Sequence, residues 1–127
     1  MAVDPNMPIL IVDDYKTMLR IIRNLLRQLN FTNIEEATDG SMALRKLREA
    51  PFSLVISDWN MEPMTGLQLL KEVRADAKLK DMPFIMITDK AKTENVVMAK
   101  KSGVSNFIVT SFNAETFMGK MKTVIGD

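Results

Sequence analysis

Short apolar runs alternating with helical periodicity constrain this chain more than any other feature of it. Ile9-Leu10-Ile11-Val12, Leu54-Val55-Ile56, Phe84-Ile85-Met86-Ile87 and Phe107-Ile108-Val109 are unbroken apolar runs, and Ile34 to Ala37 is a weak strand. Runs of this length bounded by turn-forming residues mark strands buried on both faces. Between them the period changes. Met18, Ile21, Ile22, Leu25, Leu26 and Leu29 fall at i, i+3, i+4, i+7, i+8 and i+11, one face of an amphipathic helix. Ala43, Leu44 and Leu47 mark a second helix after Asp39-Gly40, which Pro51 ends. Leu67, Leu70 and Val73 mark a third, closed by the polar stretch from Asp76 to Asp81. A charged fourth helix is expected from about Lys92 to Lys101, stopped by Ser102-Gly103. Asn113 suits the N-cap of a fifth, with Ala114, Phe117, Met118, Met121, Val124 and Ile125 on its buried face. Such βα alternation predicts a parallel sheet with helices on both faces.

Right-handed βα crossovers bring the carboxyl ends of all strands to one edge, where open α/β sheets bind their ligands. Asp13, Asp14, Asp58, Thr88 and Thr110 each end an apolar run or follow it closely. Singly, an Asp there begins a turn or caps a helix, and a Thr is a strand former. Together they place three carboxylates in one spot, where they repel one another unless a cation holds them. Oxygen-only ligands suit Mg2+, which takes one or two carboxylates and a phosphate oxygen while keeping several waters. The chemistry such a site serves is phosphoryl transfer, with a carboxylate as nucleophile. No glycine-rich phosphate loop accompanies it.

Composition removes the main competitors. At 127 residues the chain is expected to be one domain, 1–127, with its core over about 8–125 and no effector domain. A net charge of +1 gives no field for nucleic acid or an anionic membrane. With no Cys and no His there is no thiol chemistry, no Ser-His-Asp triad, no histidine metal site and no phosphohistidine on this chain. The first seven residues have neither a basic region nor a long apolar segment, so a cytoplasmic protein without membrane insertion is expected. The Met content is high, and most Met residues fall on helix faces as core filling. Met61, Met64 and Met98 are the candidates for surface contacts. Lys100-Lys101, Lys120 and Lys122 read as solvated faces, with an acidic partner as the alternative. Trp59 should be partly exposed beside the metal and report on it.

The pattern of Asp13-Asp14, strand-borne Asp58, Thr88 and Phe107 resembles the receiver domain of two-component response regulators. The resemblance runs from about Pro8 to Ile125. Within that family it is most similar to single-domain chemotaxis regulators, through Val12-Asp13-Asp14, Met18, Arg23-Asn24-Leu25-Leu26, Glu35-Glu36-Ala37, Asp39-Gly40 and Val55-Ile56-Ser57-Asp58-Trp59-Asn60-Met61. It implies a (βα)5 flavodoxin-like three-layer α/β sandwich, a five-stranded parallel sheet in the order 2-1-3-4-5. It further implies that Asp58 accepts a phosphoryl group from the phosphohistidine of a partner histidine kinase. Asp14 and Asp58 would ligate Mg2+ directly, Asn60 through its backbone carbonyl, and Asp13 through water. Thr88 would bond a phosphoryl oxygen, Phe107 would be the aromatic that turns inward on activation, and Asn60 and Lys90 would set the lifetime of the phosphoryl group.

One departure stands out. Where the family has a Lys followed by a cis-Pro after the fifth strand, this chain has Thr110-Ser111, for which an ordinary trans peptide is expected. Asp89 and Lys90 also bring charges into the loop after Thr88, and Lys90 is the candidate to replace the missing cation. The expected function is that of a phosphorylated signalling switch, catalysing only its own phosphorylation and dephosphorylation. It would act as a monomer on a downstream protein, a flagellar motor switch being one candidate. The alternatives are an atypical receiver that binds without productive phosphorylation, a phosphate sink, and a Mg2+-dependent phosphohydrolase.

Overall fold

The computed structural model describes residues 5–88, 93–109 and 113–125. They form β1 (Ile9–Val12), α1 (Lys16–Gln28), β2 (Ile34–Ala37), α2 (Gly40–Glu49), β3 (Leu54–Asp58), α3 (Gly66–Ala75), β4 (Phe84–Thr88), α4 (Thr93–Lys101), β5 (Asn106–Val109) and α5 (Ala114–Ile125). All strand pairs are parallel, in the order β2-β1-β3-β4-β5. This is the architecture that the alternation of periods and the family resemblance predicted.

The runs of β1, β3 and β4 lack polar alternation because both faces of the sheet are covered there, whereas β5 at the edge is only partly buried, against expectation. Side chains of successive strand residues point to opposite faces. Leu10, Val12 and Val55 pack with Ala43, Leu47, Leu70 and Val73 of α2 and α3. Ile9, Ile11, Leu54 and Ile56 pack with Leu19, Ile22 and Leu26 of α1 and Phe117 and Met121 of α5. Each such fully buried aliphatic side chain stabilises by about 1.5–3 kcal/mol relative to exposure.

The burial expected of four residues needs correcting. Ile21 is 42% exposed, whereas Leu19, Ile22 and Leu26 are buried. At 100° per residue those three span a narrow stripe centred between Ile22 and Leu26, and Ile21 lies about 100° from its nearest member. In α5 only Phe117 and Met121 are fully buried, while Ala114 and Met118 face outward. The face of α5 that meets the sheet is thus one i, i+4 pair wide, with Val124 and Ile125 half-buried beyond it. Met61 is no surface contact. It is 3% exposed, because the chain after β3 folds it into the core between α2 and α3. Met98 is exposed as expected.

Local signals fix the helix starts that border the functional edge. The Asp39 carboxylate accepts from Met42 N at 2.9 Å and caps α2. Thr65 and Gln68 form a capping box at α3, with reciprocal bonds of 3.1 and 2.8 Å. At the far end of α3, Arg74 donates to the carbonyls of Lys80, Met82 and Gly103 at 2.9, 2.7 and 2.8 Å. One guanidinium thereby ties together the loops that enter β4 and β5. Among the described residues no helix is long and apolar enough to cross a membrane.

Candidate metal and phosphoryl site

The sheet register sets the site. Val12 pairs with Ser57, so the next residues along, Asp13 and Asp58, stand side by side at the carboxyl ends of β1 and β3. These two strands flank the point where the strand order reverses, the place where doubly wound sheets open a crevice. On the other side of β3, Asp58 pairs with Ile87, and Trp59 N donates to Ile87 O at 2.9 Å. Thr88, the last residue of β4, is buried next to that bond.

Asp13, Asp14 and Asp58 each bring a carboxylate oxygen within 4.8 Å of the others. Their exposure is graded: Asp13 is buried, Asp58 half-buried, Asp14 exposed. Burial pushes the Asp13 carboxyl up to about 7. The Tyr15 N–H, donating to Asp13 Oδ1 at 2.9 Å, works against this, and the charges of Asp58 and Asp14 add to it. The donor set is all oxygen, crowded and mutually repulsive, which is what a hard divalent cation neutralises. The residues present therefore fit a Mg2+ site, as the convergence of strand ends implied. Asn60 lies at the surface, and with Asp14, Met61, Glu62 and Thr65 it lines an open groove of about 390 Å3 beside the carboxylates.

Gly66 is needed for the site's shape. Its N–H donates to Trp59 O at 2.9 Å. A Cβ placed on it would lie 2.1 Å from the Asp58 carbonyl oxygen and 2.8 Å from Met86 Sδ. No local pattern announces such a contact, because α3 and β3 meet there only in the fold. The capping box at Thr65, by contrast, has a local signal, Thr-x-x-Gln before an apolar helix.

Phe107 is half-buried on β5, opposite Met86 and two residues short of the strand end, where Val109 pairs with Thr88. Its ring packs against the α2–α3 core, and the Lys120 ammonium stands 5.1 Å from the ring centroid. Lys90, Thr110 and Ser111, together with the Lys92 start expected for α4, lie outside the described residues.

Fold and site together define a flavodoxin-like α/β protein that gathers three carboxylates in an acidic crevice suited to a divalent cation. Residues 9–122 match the family described as the response regulator receiver domain. The chain belongs to that family, and so to signalling proteins rather than classical enzymes. It is 49% identical to chemotaxis protein CheY-3 of Vibrio cholerae over 119 residues, 94% of this chain and 92% of the relative. To chemotaxis protein CheY of Pseudomonas aeruginosa it is 47% identical over 118 residues, 93% of this chain and 95% of that one. Among solved structures, the chemotaxis response regulator CheY4 of Vibrio cholerae superposes with a TM-score of 0.86 at 32% identity, covering 94% of this chain and 98% of that one. The receiver domain of sensor histidine kinase PA1611 from Pseudomonas aeruginosa, described with a magnesium ion in its active-site cleft, gives 0.86 at 20% identity, covering 96% and 99%. At that identity the last comparison bears on the fold.

Proposed function

We propose that this protein is a cytoplasmic chemotaxis-type response regulator, phosphorylated on Asp58 by a histidine kinase and acting by phosphorylation-dependent binding to a downstream protein. The observation that carries the reading is the meeting of Asp13, Asp14 and Asp58 at the β1–β3 crevice, in a chain nearly half identical to chemotaxis regulators along its length. Mg2+, held by Asp14 and Asp58 with the Asn60 carbonyl and with Asp13 through water, would neutralise charge on the incoming phosphoryl group. An Asp58 carboxylate oxygen attacks the phosphorus. The bond from phosphorus to the donor imidazole nitrogen breaks, and the imidazole leaves with its electron pair. Thr88, the last residue of the neighbouring strand, would donate its hydroxyl to a phosphoryl oxygen. Phe107 is the aromatic proposed to respond, through the β4–β5 pairing that joins it to the same edge.

Treating the protein with acetyl phosphate and Mg2+ and mapping the product by mass spectrometry tests this reading. A lasting phosphoryl adduct on the peptide bearing Asp58 is expected. Absence of any adduct would sink it and favour the receiver that binds without phosphorylation. Rapid turnover without accumulation would point to a phosphohydrolase.

The Thr110-Ser111 departure is what favours that second reading. A Lys ammonium against a phosphoryl charge is worth about 4 kcal/mol per charge pair at an effective dielectric near 20. A neutral hydroxyl supplies about 0.5–1.5 kcal/mol. We propose that Lys90, with its long flexible stem, supplies the missing charge. Lys90→Ala is then expected to lower the adduct yield and Thr110→Lys to raise it. If only Thr110→Lys has an effect, the site works without a cation there.

A further inference from the structure

The ammonium of Lys120 is held where it is by more than its own stem. Phe107 N donates to Asn106 Oδ1 at 2.8 Å, and Asn106 Nδ2 donates to Thr123 Oγ1. Thr123 Oγ1 in turn donates to Lys120 O at 2.7 Å. These bonds lead from the backbone of Phe107 to the backbone of Lys120, and the ammonium over the ring closes the circuit. Lysine usually extends into water. Here Lys120 is half-buried, while Met118, Gly119 and Lys122 around it are exposed. The α5 turn is thus fastened to β5 in the register that sets a cation against the face of this ring.

From this geometry we infer that Lys120 is a positioning residue for Phe107, holding the ring in its present setting by charge rather than bulk. The inference rests on the reading of Phe107 as the ring that moves when Asp58 is phosphorylated. A phenyl ring has no hydroxyl with which to fix either setting by a hydrogen bond. Its orientational preference comes from packing and from the attraction between its negative face and a cation. A ring that turns away from α5 gives up that attraction, and the ammonium returns to water. At a partly exposed site the contact is expected to bias the two settings about two- to fivefold.

The test reads the ring directly. Full-length protein is prepared with fluorinated phenylalanine, and the Phe107 fluorine resonance is assigned by its loss in Phe107→Leu. Spectra are compared for wild type, Lys120→Met, which keeps most of the stem without the charge, and Lys120→Arg, which restores it. Without phosphodonor, Lys120→Met is expected to move the Phe107 resonance toward its position in wild type treated with acetyl phosphate and Mg2+. The displacement should match a two- to fivefold change in the ratio of settings. Lys120→Arg should stay at the wild-type position. The inference is overturned if Lys120→Met leaves the resonance in place, or if Lys120→Arg shifts it equally, which would make the effect one of volume. Lys120→Gln takes the place of Lys120→Met if that variant fails to fold. Failure of the underlying reading looks different: acetyl phosphate and Mg2+ would then leave the resonance unmoved in every variant while mass spectrometry shows Asp58 modified.

Discussion

Gly66→Ala is expected to lower the free energy of unfolding by about 3 kcal/mol or more, at or above the upper end of ordinary overpacking. The new methyl carbon would stand 2.1 Å from the Asp58 carbonyl oxygen and 2.8 Å from Met86 Sδ. Met86 is fully buried, and the Asp58 carbonyl belongs to a strand paired on both sides, so neither yields cheaply. The start of α3 would have to withdraw, and the Thr65–Gln68 box with it. Gly119→Ala is the control. It lies within α5 with nothing inside 4 Å of the added carbon, and should stabilise by about 0.5–1 kcal/mol through helix propensity. Denaturant midpoints at unchanged slope separate the two. A Gly66→Ala protein as stable as wild type would show that α3 and β3 do not approach so closely.

Mg2+ is expected to raise the melting temperature by roughly 10 °C at pH 8 when present at about one hundred times its dissociation constant. At pH 5 the same concentration should raise it by only about 2 °C. The reason is Asp13, whose carboxyl burial pushes up to about 7 from an unfolded value of 3.8. Between those values the metal-free folded protein holds a proton that the unfolded chain has released. Its stability therefore falls as pH rises through the window, and above about 7 the full cost of the ionised, buried carboxylate is present. A cation offsets that cost. Below the window's top it must also displace the proton, which weakens binding about a hundredfold two pH units down. Trp59 emission gives a second readout, since the indole directly follows Asp58 and is half-buried. Equal melting shifts at both pH values would remove Asp13 from the linkage. No saturable change in melting or in emission at pH 8 would remove the metal site.

The strands were legible because burial on both faces leaves an unbroken apolar run, and Leu54 to Ile56 or Phe84 to Ile87 can be little else. The carboxylate cluster was legible for a topological reason: handed crossovers bring every strand end to one edge. Helix faces were read less well. Leu19 was passed over for Ile21 because a periodic pattern locates a stripe only to within about one residue, and the sheet selects the residues that are buried. The other misses share one cause. Gly66 against the Asp58 carbonyl, Arg74 across three carbonyls and Lys120 over Phe107 each join residues of different elements or loops, and no helix or strand spacing rule encodes them. Asp13 and Asp14 look alike on paper. Only the fold makes one buried and its neighbour exposed, and burial is what raises the pKa of Asp13.

The two apolar clusters share no side chain, since the sheet stands between them as a wall. Leu47 and Leu26 therefore answer to different neighbours, and substitutions on opposite sides should combine with little epistasis. The α1–α5 half can drift without compensating change in the α2–α3 half. What neither half can alter alone is the strand backbone and its carboxyl edge, where Asp13 and Asp58 stand on strands that both clusters grip. The molecule has two separately evolvable interiors and one edge that both must leave in place.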